Sequence, residues 1–215
     1  MKNGLLPPAS RQYYPVFLDI ADRKCIIVGG GKVAERKCMP LLAASAKVTI
    51  ISPKITSVLE KKREKGLLKH ISRNYRTGDL RSAFVVIVAT DSEETNRRVF
   101  SDARAEGVLL NVVDNPSLCS FIVPSVLQRG ALTIAVSTSG VSPAMARSVR
   151  KNLELLYGAD FSKYLRFLQD TRRKVIKEVP DKRIRGLLLK ELASEEILQV
   201  LMRKGFKAAR NTALR

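Results

Sequence analysis

The sequence predicts an α/β protein in which a parallel sheet with helices on both faces is followed by a β-rich segment and a helical tail. Apolar, strand-like runs alternate with helical segments as far as Asp114, and this alternation is typical of parallel βαβ units. Residues 84–89 form an apolar run too continuous to have one wet face, which indicates a strand buried on both sides. Beyond Pro143 only helical spacing remains.

The first half is predicted to hold five strands and three helices. Residues 25–28 are an apolar run ending in three glycines, which predicts a buried strand and a tight turn. The other strands are predicted at 47–52, 69–74 (weak), 84–89 and 109–113. Helices are predicted at 33–44, where Pro40 implies a kink or an early end, at 55–65 and at 93–106. Gly66 and Gly107 are the stop signals of the last two.

The pattern changes after Asp114. Segments 120–127 and 132–138 flank a short connection containing Gly130, which predicts an antiparallel hairpin. Helices are predicted at 144–157, 161–179, 182–192 and 195–204. We therefore predict a dinucleotide-binding domain at 1–114, a β-rich connector at 115–145 and a helical domain at 146–215.

Composition excludes several classes of protein. The chain has 215 residues, 45% of them hydrophobic, so a buried core is expected. No apolar run approaches the roughly 18 residues that span a bilayer, and the segment Met1 to Arg11 lacks the pattern of a signal peptide. The three cysteines form no CxxC pair and His70 is the only histidine, so we expect reduced thiols, no metal site and a cytoplasmic location.

The charge points to an anionic partner. Lys and Arg number 39 against 20 Asp and Glu, a formal net charge of +19. Such a surface attracts nucleic acid, acidic membrane or a small molecule with several carboxylates. A merely solvated surface is the simpler interpretation, and charge alone does not decide among these.

The three glycines carry the strongest motif. Residues 29–34 fit G-x-G-x-x-A, directly after a strand and at the start of a helix, as the dinucleotide fingerprint requires. Gly29 allows the sharp turn, Gly31 lets backbone N–H groups approach a pyrophosphate, and Ala34 permits close packing of helix on strand. The helix N-terminus then faces the phosphates with its partial positive charge.

The second strand lacks the acidic residue that usually holds the adenosine ribose. It ends at Ser52, followed by Pro53 and Lys54. An acidic residue at that point would exclude a 2′-phosphate; its absence leaves NADP open, and Lys54 would favour it. Alternatively, Ser52 and backbone groups hold the ribose and Lys54 is only solvated.

Two further strand ends carry candidate residues. Thr90 and Asp91 follow the fourth strand, where cofactor crevices form, although Asp91 or Ser92 would equally serve to cap the next helix. Asp114 follows the fifth strand, where a carboxylate can take a proton as a hydride leaves. The alternative is a simple Asp-Asn-Pro turn.

Hydroxyl groups cluster before the first helix of the second half. Ser142 and Pro143 predict an N-cap followed by a first helical residue. Capping does not account for the hydroxyls of Ser137, Thr138 and Ser139, and such a helix start also binds carboxylates.

These motifs together resemble precorrin-2 dehydrogenase, the dehydrogenase and ferrochelatase module at the N-terminus of sirohaem synthase. The matching stretches are YPVFLD (14–19), IVGGGKVAERK (27–37), ATD (89–91), NVVD (111–114), SFIVPS (120–125) and SGVSPAMAR (139–147). They run in order from about residue 13 to 150. The helical remainder matches in kind and length.

The resemblance implies a Rossmann domain, a β-rich dimerisation segment and a helical C-terminal domain, in a homodimer. It implies NAD as cofactor and precorrin-2, a tetrapyrrole with eight carboxylates, as substrate, with sirohydrochlorin as product. Some relatives also insert ferrous iron, and no residue decides this here. The residues that the resemblance assigns are Asp114 to catalysis, Gly31, Lys32, Val33, Pro53 and Lys54 to the cofactor, and Thr138 to the tetrapyrrole beside Ser137 and Ser139.

Two other functions fit parts of the sequence. A regulatory NAD-sensing module would share the dinucleotide fold but would have no need of Asp114 or of the hydroxyl-rich loop. A nucleic-acid-binding protein would use the basic tail, with affinity that falls steeply with salt. The resemblance favours the dehydrogenase, with neither nucleic acid nor membrane as a partner.

Overall fold

The computed structural model describes residues 12–214, in two compact units that meet between Val123 and Pro124. The prediction for the segment Met1 to Arg11 lies outside the described residues. The three-part division at 114 and 145 stays a prediction.

The first unit is built on a five-stranded parallel sheet. Its strands are β1 (Lys24–Val28), β2 (Lys47–Ile51), β3 (Leu68–Ile71), β4 (Val85–Val88) and β5 (Leu109–Val112). Their order across the sheet is β3-β2-β1-β4-β5, and each neighbouring pair is parallel. The predicted α/β fold with a parallel sheet is confirmed. Because the strands are parallel, all their carboxyl ends lie along one edge, and the loops there line the usual crevice for a cofactor.

Burial on both faces explains the continuous apolar strands. Alternate residues of β1 enter different cores: Ile27 packs with Cys38 of helix α1 (Lys32–Ala43) and Leu59 of helix α2 (Ser57–Glu64). Ile26, facing the other way, packs with Val99 of helix α3 (Glu93–Ala105). A β-strand places successive side chains on opposite faces, so a sheet covered on both sides needs apolar residues throughout.

The helix ends follow from local chemistry. Thr56 caps α2 by accepting the Leu59 N–H, and Ser92 caps α3 by accepting the Thr95 N–H. Helix α1 runs through Pro40 to Ala43, so the proline does not end the helix, although the helix stops within one turn of it.

The second unit opens with a tight hairpin. Strands β6 (Ser125–Arg129) and β7 (Leu132–Val136) pair antiparallel, as predicted, and Arg129 pairs with Leu132 across the turn. Only two residues therefore form the turn, and Gly130 there has φ 59°. The strand predicted from residue 120 begins only at Ser125. A short 3₁₀ turn, Pro116–Leu118, lies in the connection between β5 and β6.

Four helices complete the second unit. They are α4 (Pro143–Leu156), α5 (Ala159–Glu178), α6 (Lys182–Glu191) and α7 (Glu195–Ala213). Helix α7 continues nine residues beyond the predicted end but breaks at Gly205, where φ is 79°. The Asp160 carboxylate, from α5, accepts the Phe206 N–H at 3.0 Å and thereby restarts the helix. In the part of the chain that the structure describes, no helix has the length and apolar character needed to cross a membrane.

Candidate functional site

Three glycines connect β1 to α1 at the carboxyl edge of the sheet. Gly29 has φ 117°, a conformation that side chains rarely adopt. A Cβ built on it would lie 2.2 Å from the carbonyl oxygen of Ala89, the residue that follows β4. Gly29 therefore lets the backbone turn sharply while it lies against the neighbouring strand end.

Gly30 occupies the most crowded position, which the sequence motif does not identify. A Cβ built on it would lie 2.0 Å from the carbonyl oxygen of Lys54 and 2.8 Å from the Ser52 hydroxyl oxygen. The fingerprint treats this position as variable. The third glycine, at a position where the motif allows any residue, was the sequence feature that could have indicated this crowding.

Gly31 has open space around it. It precedes α1 without a side-chain cap, and a Cβ built on it would meet no atom within 4 Å. The first intrahelical bond is donated by the Glu35 N–H to the Gly31 carbonyl, so the N–H groups of Lys32 and Val33 have no acceptor inside the helix. This open helix start fits the pyrophosphate of a dinucleotide.

The turn after β2 is a compact set of internal hydrogen bonds. The Ser52 hydroxyl donates to the Lys54 carbonyl at 2.7 Å, and the Ser72 hydroxyl donates to the Pro53 carbonyl at 3.1 Å. The His70 ring nitrogen Nε2 lies 2.8 Å from the Ser52 carbonyl oxygen. Pro53 and Lys54 are exposed. His70 thus has a structural contact, and the Ser52 hydroxyl is already committed as a donor within the turn.

A carboxylate on α1 joins this turn to the glycine loop. The Thr56 N–H donates to the Gly30 carbonyl at 3.1 Å, and the Thr56 hydroxyl donates to Glu35 Oε2 at 2.6 Å. Lys32 Nζ lies 3.3 Å from the same oxygen. The Thr56 hydroxyl, helped by Lys32, lowers the pKa of Glu35 against the opposing effect of burial. Nothing in the dinucleotide motif marks Glu35 as a site residue.

Of the two residues considered as caps of α3, Ser92 fills the role. Its own N–H donates to the Thr90 hydroxyl oxygen at 3.2 Å. Asp91 is exposed and does not cap the helix. The Asp91 carboxylate therefore lies at the carboxyl edge of the sheet with no capping role to explain it.

Asp114 lies at the same edge, just past β5. It is exposed and has φ 59°, in the left-handed region. The loop that follows is anchored by buried Asn111, whose amide donates to the Phe121 carbonyl at 3.0 Å. Cys119 reinforces the anchor, since its sulfur contacts the Val112 N–H and carbonyl, each at 3.2 Å. Asp114 thus projects from a fixed backbone.

Lys37 lies within electrostatic range of Asp114. Burial lowers the pKa of this half-buried lysine most, and Arg36 adds to the decrease, whereas the Asp114 carboxylate opposes it. Helix α1 therefore places a basic side chain near Asp114.

The structure brings most of the predicted site residues to one edge of the first unit. The residues at the carboxyl ends of β1, β2, β4 and β5 are Gly29, Gly31, Lys32, Val33, Pro53, Lys54, Thr90, Asp91 and Asp114. Parallel strands require this gathering, which sequence spacing alone does not display. Within residues 12–214, no cluster of three or more His, Cys, Asp or Glu side chains is arranged to hold a metal ion.

The hydroxyl-rich loop belongs to the second unit. The Thr138 hydroxyl oxygen accepts the Ser142 N–H at 3.0 Å, and Ser142 caps α4 by accepting the Met145 N–H at 3.2 Å. Ser139 has φ 53°, and its N–H donates to the Ser137 hydroxyl oxygen at 3.0 Å. The Thr138 hydroxyl accepts one bond and retains its proton for donation.

Comparison with known proteins matches a family model to each unit, in the second unit over a short segment. Residues 16–125 match the family described as putative NAD(P)-binding, and residues 129–155 match the central segment of sirohaem biosynthesis proteins. Among solved structures, SirC, a precorrin-2 dehydrogenase, superposes with a TM-score of 0.80 at 25% identity, covering 94% of this chain and 99% of that one.

Curated relatives named siroheme synthase are much longer than this chain. The one from Methylobacillus flagellatus is 40% identical over 161 residues, which cover 75% of this chain and 34% of the relative. The one from Thioalkalivibrio sulfidiphilus is 35% identical over 200 residues, covering 93% of this chain and 41% of the relative. The chain thus spans between a third and about two fifths of the length of these relatives.

The crowding at Gly30 predicts a large difference between adjacent substitutions. Gly30→Ala places a methyl group on the Lys54 carbonyl oxygen, and we expect it to lower the free energy of unfolding by about 3 kcal/mol or more. Gly31→Ala meets no atom within 4 Å and should change it by less than about 1 kcal/mol. Urea unfolding followed by circular dichroism measures both. Equal stability of the two variants would contradict the packing described for this loop.

Proposed function

The chain belongs to the putative NAD(P)-binding family that matches residues 16–125, and we propose that it oxidises precorrin-2 to sirohydrochlorin with NAD as the acceptor, in sirohaem biosynthesis. One observation carries the proposal: the likeness to SirC, a precorrin-2 dehydrogenase, extends over nearly the whole of both chains. The siroheme synthase relatives support the same pathway through the part of their length that they share.

The first unit supplies a site for NAD. The open N–H groups of Lys32 and Val33 would hold the pyrophosphate, with Gly31 leaving room for its approach. Pro53 and Lys54 would border the adenosine half, and Thr90 and Asp91 would border the nicotinamide half, since these loops line the carboxyl edge of the sheet. When bound, NAD accepts a hydride from the substrate. The chain's own part is to hold and orient both molecules and to remove one proton from the substrate.

Asp114 is proposed as the proton acceptor. Loss of a hydride leaves a cationic tetrapyrrole, which must release one proton to reach the neutral, more conjugated product. An exposed carboxylate at the end of β5, on a backbone anchored by Asn111, can accept a proton at its oxygen. Lys37, half-buried on α1, lies within electrostatic range of this carboxylate.

The charge balance of the chain suits a polycarboxylate. Precorrin-2 carries eight carboxylates, and the chain carries a formal +19. From Met145 onward there are 18 basic residues against 8 acidic ones. Such a field raises the local concentration of an anionic substrate and its rate of encounter. The hydroxyls of Thr138 and Ser139, at the start of α4, are proposed contacts for its carboxylates.

An anaerobic absorbance assay tests the proposal. Precorrin-2 and NAD are mixed with the protein, and the spectrum of sirohydrochlorin is expected to appear. Ferrous iron is then added to test for iron insertion into sirohydrochlorin. Formation of sirohaem faster than without protein would establish this second activity. Folded protein that binds NADH but gives no spectral change would instead favour a regulatory NAD-sensing module.

Asp114 variants separate binding from chemistry. Asp114→Ala should bind NADH with unchanged affinity but lose at least about a hundredfold in turnover, as expected for loss of a general base. Asp114→Asn should lose a similar factor, because the amide keeps the shape but cannot accept the proton. Turnover is followed by the sirohydrochlorin spectrum and binding by NADH fluorescence. Wild-type turnover in either variant would remove Asp114 from the mechanism.

We further propose that the chain forms a homodimer through α4. Val141, Met145 and Val149 recur at helical spacing, and their exposed fractions are 72%, 57% and 38%. Met145 and Val149 lie on α4 and Val141 just before its cap, and a row of exposed apolar side chains is typical of a surface that another chain covers. We also propose a cytoplasmic location, which suits an NAD-dependent enzyme with the buried thiols of Cys25 and Cys38.

The dimer proposal predicts a change of mass in solution. Met145→Glu with Val149→Glu places two charges in the apolar row and should shift the protein from dimer to monomer in analytical ultracentrifugation. Lys151→Glu, also on the exposed surface of α4, is the matched control and should leave the dimer intact. A monomeric wild-type protein, or equal effects of the two changes, would reject α4 as the contact.

A further inference from the structure

The adenosine end of the proposed cofactor site lacks an acidic residue at the end of β2, but a carboxylate from another element lies beside it. In dinucleotide-binding folds, an acidic residue at the end of the second strand accepts the ribose 2′-hydroxyl and repels the 2′-phosphate of NADP. Here that position is Ser52, whose hydroxyl donates to the Lys54 carbonyl instead. Lys54 is exposed, and a cation there would attract a 2′-phosphate.

Glu35 brings a negative charge to this turn from another element. It lies in the first turns of α1, yet its carboxylate is joined to the turn by the 2.6 Å bond from the Thr56 hydroxyl. Thr56 is itself fixed in two ways, because its N–H donates to the Gly30 carbonyl and its hydroxyl caps α2. The position of the Glu35 carboxylate is therefore determined by the same contacts that form the dinucleotide loop.

The other charged groups around the turn are mostly engaged. Lys32 pairs with Glu35 itself at 3.3 Å. Arg73 makes a two-bond pair with Asp79, at 2.7 and 2.8 Å. Glu60, in the first turn of α2, pairs with Arg63. Glu35 and Lys32 consequently offset each other in charge, so Glu35 adds to the turn a fixed carboxylate acceptor rather than a net negative charge.

We propose that Glu35 is the residue by which this chain selects NAD over NADP, taking over the role of the acidic residue that β2 lacks. One carboxylate oxygen is held by Thr56 and Lys32, and the second is available to accept a ribose hydroxyl. A 2′-phosphate, with about two negative charges, would meet this carboxylate across the same turn. The inference rests on the proposed binding of NAD at this loop and goes beyond it by assigning the discrimination.

Titration with NADH and NADPH tests the assignment without turnover. The chain contains no tryptophan, so the fluorescence of the reduced nicotinamide reports binding directly. Wild-type protein should bind NADH more tightly than NADPH. Glu35→Gln keeps an acceptor for Thr56 and removes the charge. It should tighten NADPH binding by about tenfold, as expected for one charge interaction across a partly hydrated gap, with NADH binding changed by less than about twofold.

Glu60→Gln is the matched control, because it removes the same charge from a helix that begins at the same loop. It should leave the ratio of the two dissociation constants unchanged. An equal shift in Glu60→Gln would make the effect one of net charge and would overturn the role of Glu35. A Glu35→Gln protein that weakens both nucleotides equally would make Glu35 a loop support only, which also overturns it.

A measurement on the unchanged protein covers the case in which Glu35→Gln does not fold. Salt screens repulsion between exposed charges, so raising the ionic strength should reduce the preference for NADH over NADPH. A preference that grows with salt contradicts the inference. Failure of folded wild-type protein to bind either nucleotide is a separate result, since it rejects the proposed cofactor site as a whole.

Discussion

The site depends on the closeness with which three chain segments pack at the carboxyl edge of the sheet. Two backbone carbonyl oxygens, those of Ala89 and Lys54, occupy the space where side chains of residues 29 and 30 would lie. Glycine is the only residue that permits this approach. Because the loop is pressed between the ends of β2 and β4, α1 begins at a fixed point and its unpaired N–H groups face outward from the sheet. Everything proposed for the cofactor follows from that arrangement.

The apolar core maintains this geometry at a distance. Strands β1 and β4 are buried on both faces, against α1 and α2 on one side and α3 on the other. Close-packed interiors transmit small displacements rather than absorb them. The polar groups are accordingly confined to the strand ends, where Ser52, Thr56 and Asn111 bond to loop backbone. The sheet fixes the positions of the strand ends, and the loops that follow them carry the polar side chains.

Sequence patterns predicted the parallel sheet and the helices well, because apolar periodicity and glycine or proline punctuation are local properties. They predicted the ends less well: α7 continues past Lys204, since its break at Gly205 is bridged by Asp160 from α5, forty-five residues earlier. The candidate residues at strand ends were identifiable from spacing, and Asp114 from a family resemblance. Glu35 and Gly30 were not, because their importance arises from contacts with Thr56 and Lys54, twenty-one and twenty-four residues away.

The backbone conformation at Asp114 also limits which residue types that position accommodates. Its φ of 59° lies in a region that asparagine and aspartate enter far more readily than other residues with a side chain. A glutamate would carry the same charge, but its longer side chain gains no local hydrogen bond to offset the strain. A lineage that kept this loop could therefore exchange the acid for its amide by a single mutation and lose the proposed proton transfer, while the nucleotide fold survived intact. Loss of catalysis with retention of binding is thus a short evolutionary step for this architecture.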